Sequence, residues 1–181
     1  MSTRERALIA AVSLVGEQGV RALTHTRVDA AAGLPKGSTS NWFRTRDALV
    51  TGVIDWIAEL ERVDLEAAMA PAETMDDVVD ALCRLLESAT GEHAVRTRAR
   101  YALFLEASAA PSPLPALREG RSRFELWIRD LLARLGAPEP DTAARALLAV
   151  SAGLIVNRLT VAPGAPIRPT VELVARGSLS A

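Results

Sequence analysis

A run of small polar side chains with one lysine occupies residues 36–42, in the order Lys-Gly-Ser-Thr-Ser-Asn-Trp. Their hydroxyl, amide and ammonium groups exchange hydrogen bonds, but the run contains no histidine, carboxylate or thiol for acid–base or metal chemistry. The run has low helix propensity, so it would not form a helix in isolation. We interpret it as a surface that meets another molecule through hydrogen bonds.

The elements around this run are predicted to be four helices. A capping box of Ser2 and Glu5 starts a helix over residues 3–18. Either Thr24 or Thr26 caps a short second helix, which ends at Gly33. A third helix is predicted from Pro35 to about residue 43, followed by a helix over about 46–69. A short helix, a glycine turn and another short helix are typical of a helix-turn-helix.

The residue types in the third helix fit entry into the major groove of DNA. Small polar side chains let the helix backbone approach closely, and their hydroxyls reach phosphates and base edges. Lys36 is the only lysine in the chain and lies where it could reach either. Residues 1–50 carry seven basic and four acidic side chains, a net +3, whereas the remainder carries a net −4. The basic end favours a polyanion partner, although the bias is small.

The residues that follow the helix-turn-helix are predicted to form a helical body. The predicted fold class is therefore all-α, with about nine helices. The predicted domains are a helix-turn-helix unit over residues 1–48 and a ligand-binding and dimerisation unit over residues 49–181. The eighth helix, from Asp141 to about Val161, is apolar on nearly every face. Such a helix must be covered on all sides, so we expect the last two helices to form a homodimer interface.

The composition argues against several other classes of protein. Cys83 is the only cysteine, so no internal disulfide and no thiolate metal cluster can form. We see no signal peptide, and the longest uncharged run, Ala146–Val156, is too short to span a bilayer. The chain has only two histidines and no catalytic motif. We therefore expect a cytoplasmic protein that is no enzyme, with no metal, no cofactor and no membrane partner.

Residues 4–60 resemble the N-terminal domain of the TetR family of bacterial transcriptional regulators. The family pattern is a first helix ending in Gly, a Thr-capped helix with an Ile-Ala-like pair, Ala-Gly-Val, a Gly-Thr-Leu-Tyr-like helix ending in aromatic-Phe, and a Ser-Lys-Glu-x-Leu-like helix start. The matching positions are Gly19, Thr26, Val28-Asp29, Ala32-Gly33-Leu34, Gly37-Ser38-Thr39-Ser40, Asn41-Trp42-Phe43 and Thr45-Arg46-Asp47-Ala48-Leu49. Ser40 stands where the family usually has Tyr.

The resemblance implies two sets of DNA contacts. Three of the residues have a simpler alternative: Thr26 as a helix cap, Trp42 as a packing residue and Arg46 as a solvated charge. The implied phosphate contacts are His25, Thr26, Ser40, Trp42 and Arg46, and the implied base-edge contacts are Lys36, Gly37, Ser38 and Asn41.

The resemblance also implies an effector pocket in the body, enclosed by helices that carry most of the aromatic residues. The alternative is that these aromatics are ordinary core. The candidate ligand-binding residues are Trp56, Tyr101, Phe104, Phe124, Trp127 and Asn157.

Together these features predict a ligand-responsive repressor. Two recognition helices of a homodimer, about 34 Å apart, would read a palindromic double-stranded operator, and an unidentified small-molecule effector would release it. The alternative is an all-helical small-molecule or partner-binding protein whose helix-turn-helix is vestigial.

Overall fold

The structure, a computed structural model, describes residues 1–69, 72–107 and 115–179. Over these ranges the chain forms nine α-helices, one short 3-10 helix (Val20–Ala22) and no strand, so the predicted all-α fold is confirmed. From the sequence, the sixth helix is predicted to cover about His93 to Ala109, and this predicted end lies outside the described residues. The helices are α1 (Thr3–Gln18), α2 (His25–Ala31), α3 (Ser38–Trp42), α4 (Arg46–Ala68), α5 (Met75–Thr90), α6 (Ala94–Ala107), α7 (Pro115–Arg134), α8 (Pro140–Thr160) and α9 (Arg168–Gly177).

Side-chain caps explain why several helices begin where they do. The Ser2 hydroxyl accepts from the backbone N–H of Glu5, whose carboxylate accepts from the N–H of Ser2, which is the predicted capping box. Thr74 and Asp77 form a second capping box at the start of α5. These bonds satisfy N–H groups that have no partner inside a helix.

One of the two caps predicted for the second helix is confirmed, whereas the third helix begins later than predicted. Thr24 caps α2, so Thr26 lies inside the first turn of the helix. The third helix begins at Ser38 instead of Pro35, because residues 35–37 form a turn in which Gly37 has φ +91°. Only glycine adopts that backbone conformation without steric cost.

The chain forms two compact units, of which the first comprises Met1–Glu61 and Val95–Arg118. Its core is apolar and includes the fully buried Leu8, Leu49 and Ile54. Gly16 packs against the backbone of Val95, where an added Cβ would lie 2.2 Å from the carbonyl oxygen. The predicted domain boundary between residues 48 and 49 falls inside this unit and stays a prediction.

The second unit comprises Arg62–Ala94 and Glu119–Ala181, and within it α5, α8 and α9 pack against one another. Ion pairs from Arg168 to Asp80 and from Arg176 to Asp76 link α9 to α5. Arg158 on α8 donates to the Thr90 hydroxyl. These polar contacts fix the edges of an otherwise apolar helix packing.

Helix α8 leaves much of its apolar surface unburied within the chain. Val156, for example, is 45% exposed. By length and composition alone α8 could cross a membrane: its most apolar 18-residue window has a mean hydropathy of 1.3 and is only 33% buried. The uncharged run Ala146–Val156 is thus part of a longer apolar helix, much of whose surface the chain itself does not bury.

Candidate nucleic-acid interface

The turn between α2 and α3 is fixed by backbone hydrogen bonds. Gly33 has φ +62°, and its N–H donates to the carbonyl of Ala30 at 3.2 Å. The next N–H, from Leu34, donates to the carbonyl of Asp29 at 2.8 Å. Because Leu34 is also partly buried against the core, α2 stops at a defined point and α3 leaves in a defined direction.

An arginine from α1 reinforces this turn from behind. The Arg6 guanidinium donates to the carbonyls of Ala32 at 2.8 Å and Gly33 at 3.1 Å. A cation at the end of a helix also complements the helix dipole. Arg6 therefore stabilises the helix-turn-helix internally.

A second turn leads into α3. The N–H and the hydroxyl of Ser38 both donate to the carbonyl of Pro35, at 3.1 Å and 2.7 Å. Since its hydroxyl proton is used inside the protein, Ser38 can meet a base edge only as an acceptor. Lys36 is exposed at the tip of this turn, instead of lying on the helix as predicted.

The carboxylate of Asp29 contacts the start of α3, which sequence reasoning missed. Asp29 has capping-box spacing from Thr26 in the sequence, but it is only 3% exposed and accepts hydrogen bonds from Gly37 and Thr39 instead. Burial alone would raise the pKa of Asp29, but hydrogen bonds from Thr39 and Gly37, aided by the nearby His25, bring it below the usual value. An acidic residue in the apolar run Val-Asp-Ala-Ala-Ala was the available signal.

His25 contacts the other end of α3. Its Nε2 lies 2.6 Å from the carbonyl oxygen of Phe43, so this nitrogen carries the proton and donates. His25 is half-buried, and only Nδ1 remains for the phosphate contact implied by the family resemblance. That contact stays a prediction, whereas the contact with Phe43 is present in the folded chain.

The remaining side chains of α3 face solvent. Trp42 is 56% exposed, so more than half of its surface is free of contacts within the chain, while its neighbour Phe43 is 5% exposed and anchors the end of the helix. This arrangement presents a polar surface with one aromatic ring on a buried support. The predicted contacts that are exposed are Thr26, Lys36, Ser40, Asn41, Trp42 and Arg46, whereas Gly37 and Ser38 are half-buried.

Two arginines flank the gap between α3 and α4. Arg46 is exposed, and its guanidinium donates to the carbonyl of Val20 at 3.4 Å, so it is tethered to the 3-10 helix. Arg44 is exposed between the two helices and was not named from the sequence. Both cations lie next to the exposed face of α3, where they could neutralise phosphates.

Three candidate effector residues lie in the first unit. Trp56 and Phe104 are half-buried and pack against its core. The Arg100 guanidinium lies 4.7 Å from the ring centroid of Tyr101 and 5.9 Å from that of Phe104. Arg100 also pairs with Glu61, with 3.3 Å between Nε and Oε1. The rings of Tyr101 and Phe104 thus lie beside the guanidinium of a half-buried ion pair.

The other three candidates lie in the second unit. Phe124 and Trp127 stack with ring centroids 5.5 Å apart. The cavity beside Phe124 has a volume of about 10 Å³, which is room for one water molecule. Asn157 is exposed on α8 and so needs no internal partner. The structure therefore does not gather the six residues in one unit, and their role stays a prediction.

Comparison with known proteins identifies relatives over both halves of the chain. Residues 73–181 match the family described as tetracyclin repressor-like, C-terminal domain. The chain is 27% identical over 143 residues to the HTH-type transcriptional regulator CymR of Pseudomonas putida, covering 74% of this chain and 68% of that protein.

Two solved structures extend the likeness to nearly the whole chain. The TetR family member SCO1917 from Streptomyces coelicolor is 28% identical, with a TM-score of 0.74, and the match covers 97% of this chain and 98% of that one. The multidrug binding protein EbrR, complexed with ethidium, is also 28% identical, with a TM-score of 0.66 over 97% and 98% of the two chains.

The family match spans more than half of the residues, and the helical order agrees with the solved relatives. Members of this family bind DNA and small-molecule ligands, typically as dimers, and they are not enzymes. The chain belongs to the TetR family of transcriptional regulators.

Proposed function

We propose that this regulator is a cytoplasmic homodimeric repressor that reads a palindromic operator through α3 and is released by a small-molecule effector. The observation that carries the proposal is the exposed polar face of α3, which is held on a buried support by contacts at both of its ends. In this assignment, residues 1–48 read DNA and residues 49–181 bind the effector and the second subunit.

The proposed contacts follow from the chemistry of the exposed groups. Lys36 and Asn41 donate to base-edge acceptors in the major groove, with Gly37 and Ser38 allowing close approach. The proposed phosphate contacts are Thr26, Ser40, Trp42 and Arg46, together with His25, whose Nδ1 can donate to a phosphate only when both ring nitrogens carry a proton.

The exposed apolar surface of α8 supports a homodimer through α8 and α9. Val156 is 45% exposed and Leu173 on α9 is 74% exposed. The small residues Ala149 and Gly153 are also exposed, which permits close approach of a second helix. In this proposal a second copy of the chain covers the surface, so α8 does not enter a membrane.

The proposed effector is an apolar or aromatic molecule, because six candidate contacts include five aromatic rings. Ethidium, the ligand in the EbrR structure, has this chemistry. Helix α4 contributes residues to both compact units, so a ligand that shifts α4 could alter the DNA-binding unit. Such a ligand must prefer the released state over the DNA-bound state.

A gel-shift titration tests the DNA-binding proposal. The probe is the DNA upstream of the protein's own gene, compared with a scrambled duplex of the same length at several salt concentrations. We expect retardation of the upstream duplex at low salt, weakening as salt is added. No retardation of either duplex at low salt would contradict the proposal and favour the vestigial helix-turn-helix.

A further inference from the structure

The recognition helix α3 receives its N-terminal cap from α2. One carboxylate oxygen of Asp29 accepts from the N–H of Gly37 at 2.7 Å. The other accepts from the N–H of Thr39 at 2.8 Å and from the Thr39 hydroxyl at 2.6 Å. Asp29 is 3% exposed and Thr39 is fully buried, so water does not compete for these bonds.

The cap is needed because α3 cannot cap itself. It has five residues, and its N-cap position is Gly37, which has no side chain to accept from the first N–H groups. An aspartate at the N-cap would ordinarily do this from within the same helix. Here Asp29 does it from the preceding helix, and it also fixes the turn that presents Lys36.

Asp29 and Thr39 both depart from the family pattern given above, and they depart together. The pattern has an Ala-like residue where this chain has Asp29 and a Leu-like residue where it has Thr39. A buried carboxylate without donors is strongly destabilising. In this chain the Thr39 hydroxyl and N–H supply donors to the buried carboxylate.

We propose that Asp29 is a positioning residue for operator reading: it holds the turn at Gly37 and the start of α3 in the DNA-reading conformation before DNA binds. Binding then requires little ordering of this segment, which would otherwise reduce affinity. This inference rests on the proposed DNA-binding function.

Simple electrostatics makes the opposite prediction, which sharpens the test. Removing the negative charge of Asp29 makes the DNA-binding unit more basic, and that alone would tighten binding to every duplex. Loss of positioning would instead weaken binding to the preferred duplex only. In Asp29→Asn the new amide NH₂ faces a backbone N–H, so at least one of the two tethers is lost while the side-chain volume is retained.

The experiment compares Asp29→Asn with Thr39→Val. The matched control Thr39→Val removes only the hydroxyl and leaves the carboxylate bonded to both N–H groups. The probes are a duplex that the wild-type protein selects from a random-sequence library, and a scrambled duplex of the same length. Affinities are measured by fluorescence anisotropy at several salt concentrations, well below the melting temperature of each variant.

We expect Asp29→Asn to weaken binding to the selected duplex about tenfold or more, with the scrambled duplex and the salt dependence little changed. Thr39→Val should lose thermal stability yet keep its selectivity within about threefold. An Asp29→Asn variant that keeps the ratio of the two affinities, or binds both duplexes more tightly, would overturn the proposal. If the wild-type protein selects no duplex at all, the DNA-binding function itself fails.

Hydrogen exchange on the wild-type protein provides a second test that requires no variant. Without DNA, the amides of Gly37 and Thr39 should exchange about a hundredfold more slowly than in an unstructured peptide. Exchange at unstructured-peptide rates that slows only on adding the selected duplex would show that the segment is ordered by DNA, and would overturn the proposal.

Discussion

Lys36 and Arg46 carry the same charge but lie on different elements. Lys36 stands at the tip of the turn before α3, on a backbone that Asp29 fixes through Gly37. Arg46 begins α4 and is tethered to the carbonyl of Val20. A cation on the reading turn can discriminate bases, whereas a cation beside the helix acts on the phosphate backbone that all sequences share.

Alanine substitution separates these two roles. Lys36→Ala should weaken binding to the selected duplex by about tenfold and leave binding to a scrambled duplex largely unchanged. Arg46→Ala should weaken both alike and lower the salt dependence by about one phosphate contact. Anisotropy titrations at several salt concentrations measure both quantities. Equal effects of the two variants on every duplex would contradict this assignment.

Acid should remove the contribution of Asp29 to stability. Because hydrogen bonds hold its pKa in the folded chain below the unfolded value of about 3.9, the contribution is complete above that value. It is lost as the pH falls through the folded-state pKa. At pH 7, Asp29→Asn should lower the free energy of unfolding by about 2 kcal/mol.

Urea unfolding of both proteins at a series of pH values measures this difference. We expect the gap between wild type and Asp29→Asn to be constant near neutral pH and to narrow only in the acid range, below about pH 4. A gap that already narrows near neutral pH would contradict this assignment to Asp29.

At the scale of elements, one glycine sets how closely two helices pack in the first unit. Gly16 on α1 faces the backbone of Val95 on α6, and a Cβ would lie 2.2 Å from its carbonyl oxygen. Backbone cannot move aside as a flexible side chain can, so even one methyl group must separate the helices.

Gly16→Ala should therefore destabilise the chain by at least about 3 kcal/mol, despite the higher helix propensity of alanine. The matched control is Gly120→Ala within α7, where an added Cβ would lie 4.0 Å from its nearest neighbour, a methyl group of Leu65. That control should be neutral or slightly stabilising. Thermal unfolding of the two variants makes the comparison, and a smaller loss of stability for Gly16→Ala than for Gly120→Ala would refute the prediction.

The sequence predicts most helix boundaries because they depend on local rules. Ser2 with Glu5, and Thr74 with Asp77, mark starts that need no knowledge of the rest of the chain. The start of α3 was misplaced because Pro35 is a good first helical residue, while the turn it enters is set by a nonlocal carboxylate. Asp29 has capping-box spacing from Thr26, so the local pattern concealed its partner Thr39, ten residues away.

The candidate site was only partly predictable for the same reason. Exposure of Asn41 and Trp42 follows from polarity and from the resemblance to the family. The contact from His25 to Phe43 does not, because it joins residues 18 positions apart. The effector residues were inferred from aromatic composition, which gives no information on which helix each ring faces, and Phe124 and Tyr101 lie in different units.

At the scale of the whole molecule, the proposed dimer forms at the unburied face of α8. Leaving this much apolar surface in water would promote association of some kind. A second copy of the chain, joined through α8 and α9, would cover it and place two copies of α3 on one duplex. DNA reading and dimer formation are then linked, because each half-site alone binds weakly.

A charge on this face should dissociate the dimer. Val156→Asp is expected to raise the dimer dissociation constant by roughly a hundredfold, since an unpaired carboxylate would be buried at the interface. Ile9→Asp is the matched control, because Ile9 is also 45% exposed but lies on α1. Sedimentation equilibrium without detergent measures both, with circular dichroism to confirm folding. An equal rise in the dimer dissociation constant for the two variants, or a wild-type protein that is monomeric, would contradict the proposed interface.

The cap supplied by Asp29 limits how this regulator can be re-engineered. Grafting residues 36–42 onto another repressor would transfer the amino-acid sequence of this segment without the Asp29 carboxylate that fixes its conformation. A chimera intended to inherit the operator preference must therefore also carry Asp29, and the smallest segment to transfer extends from residue 25 to residue 43.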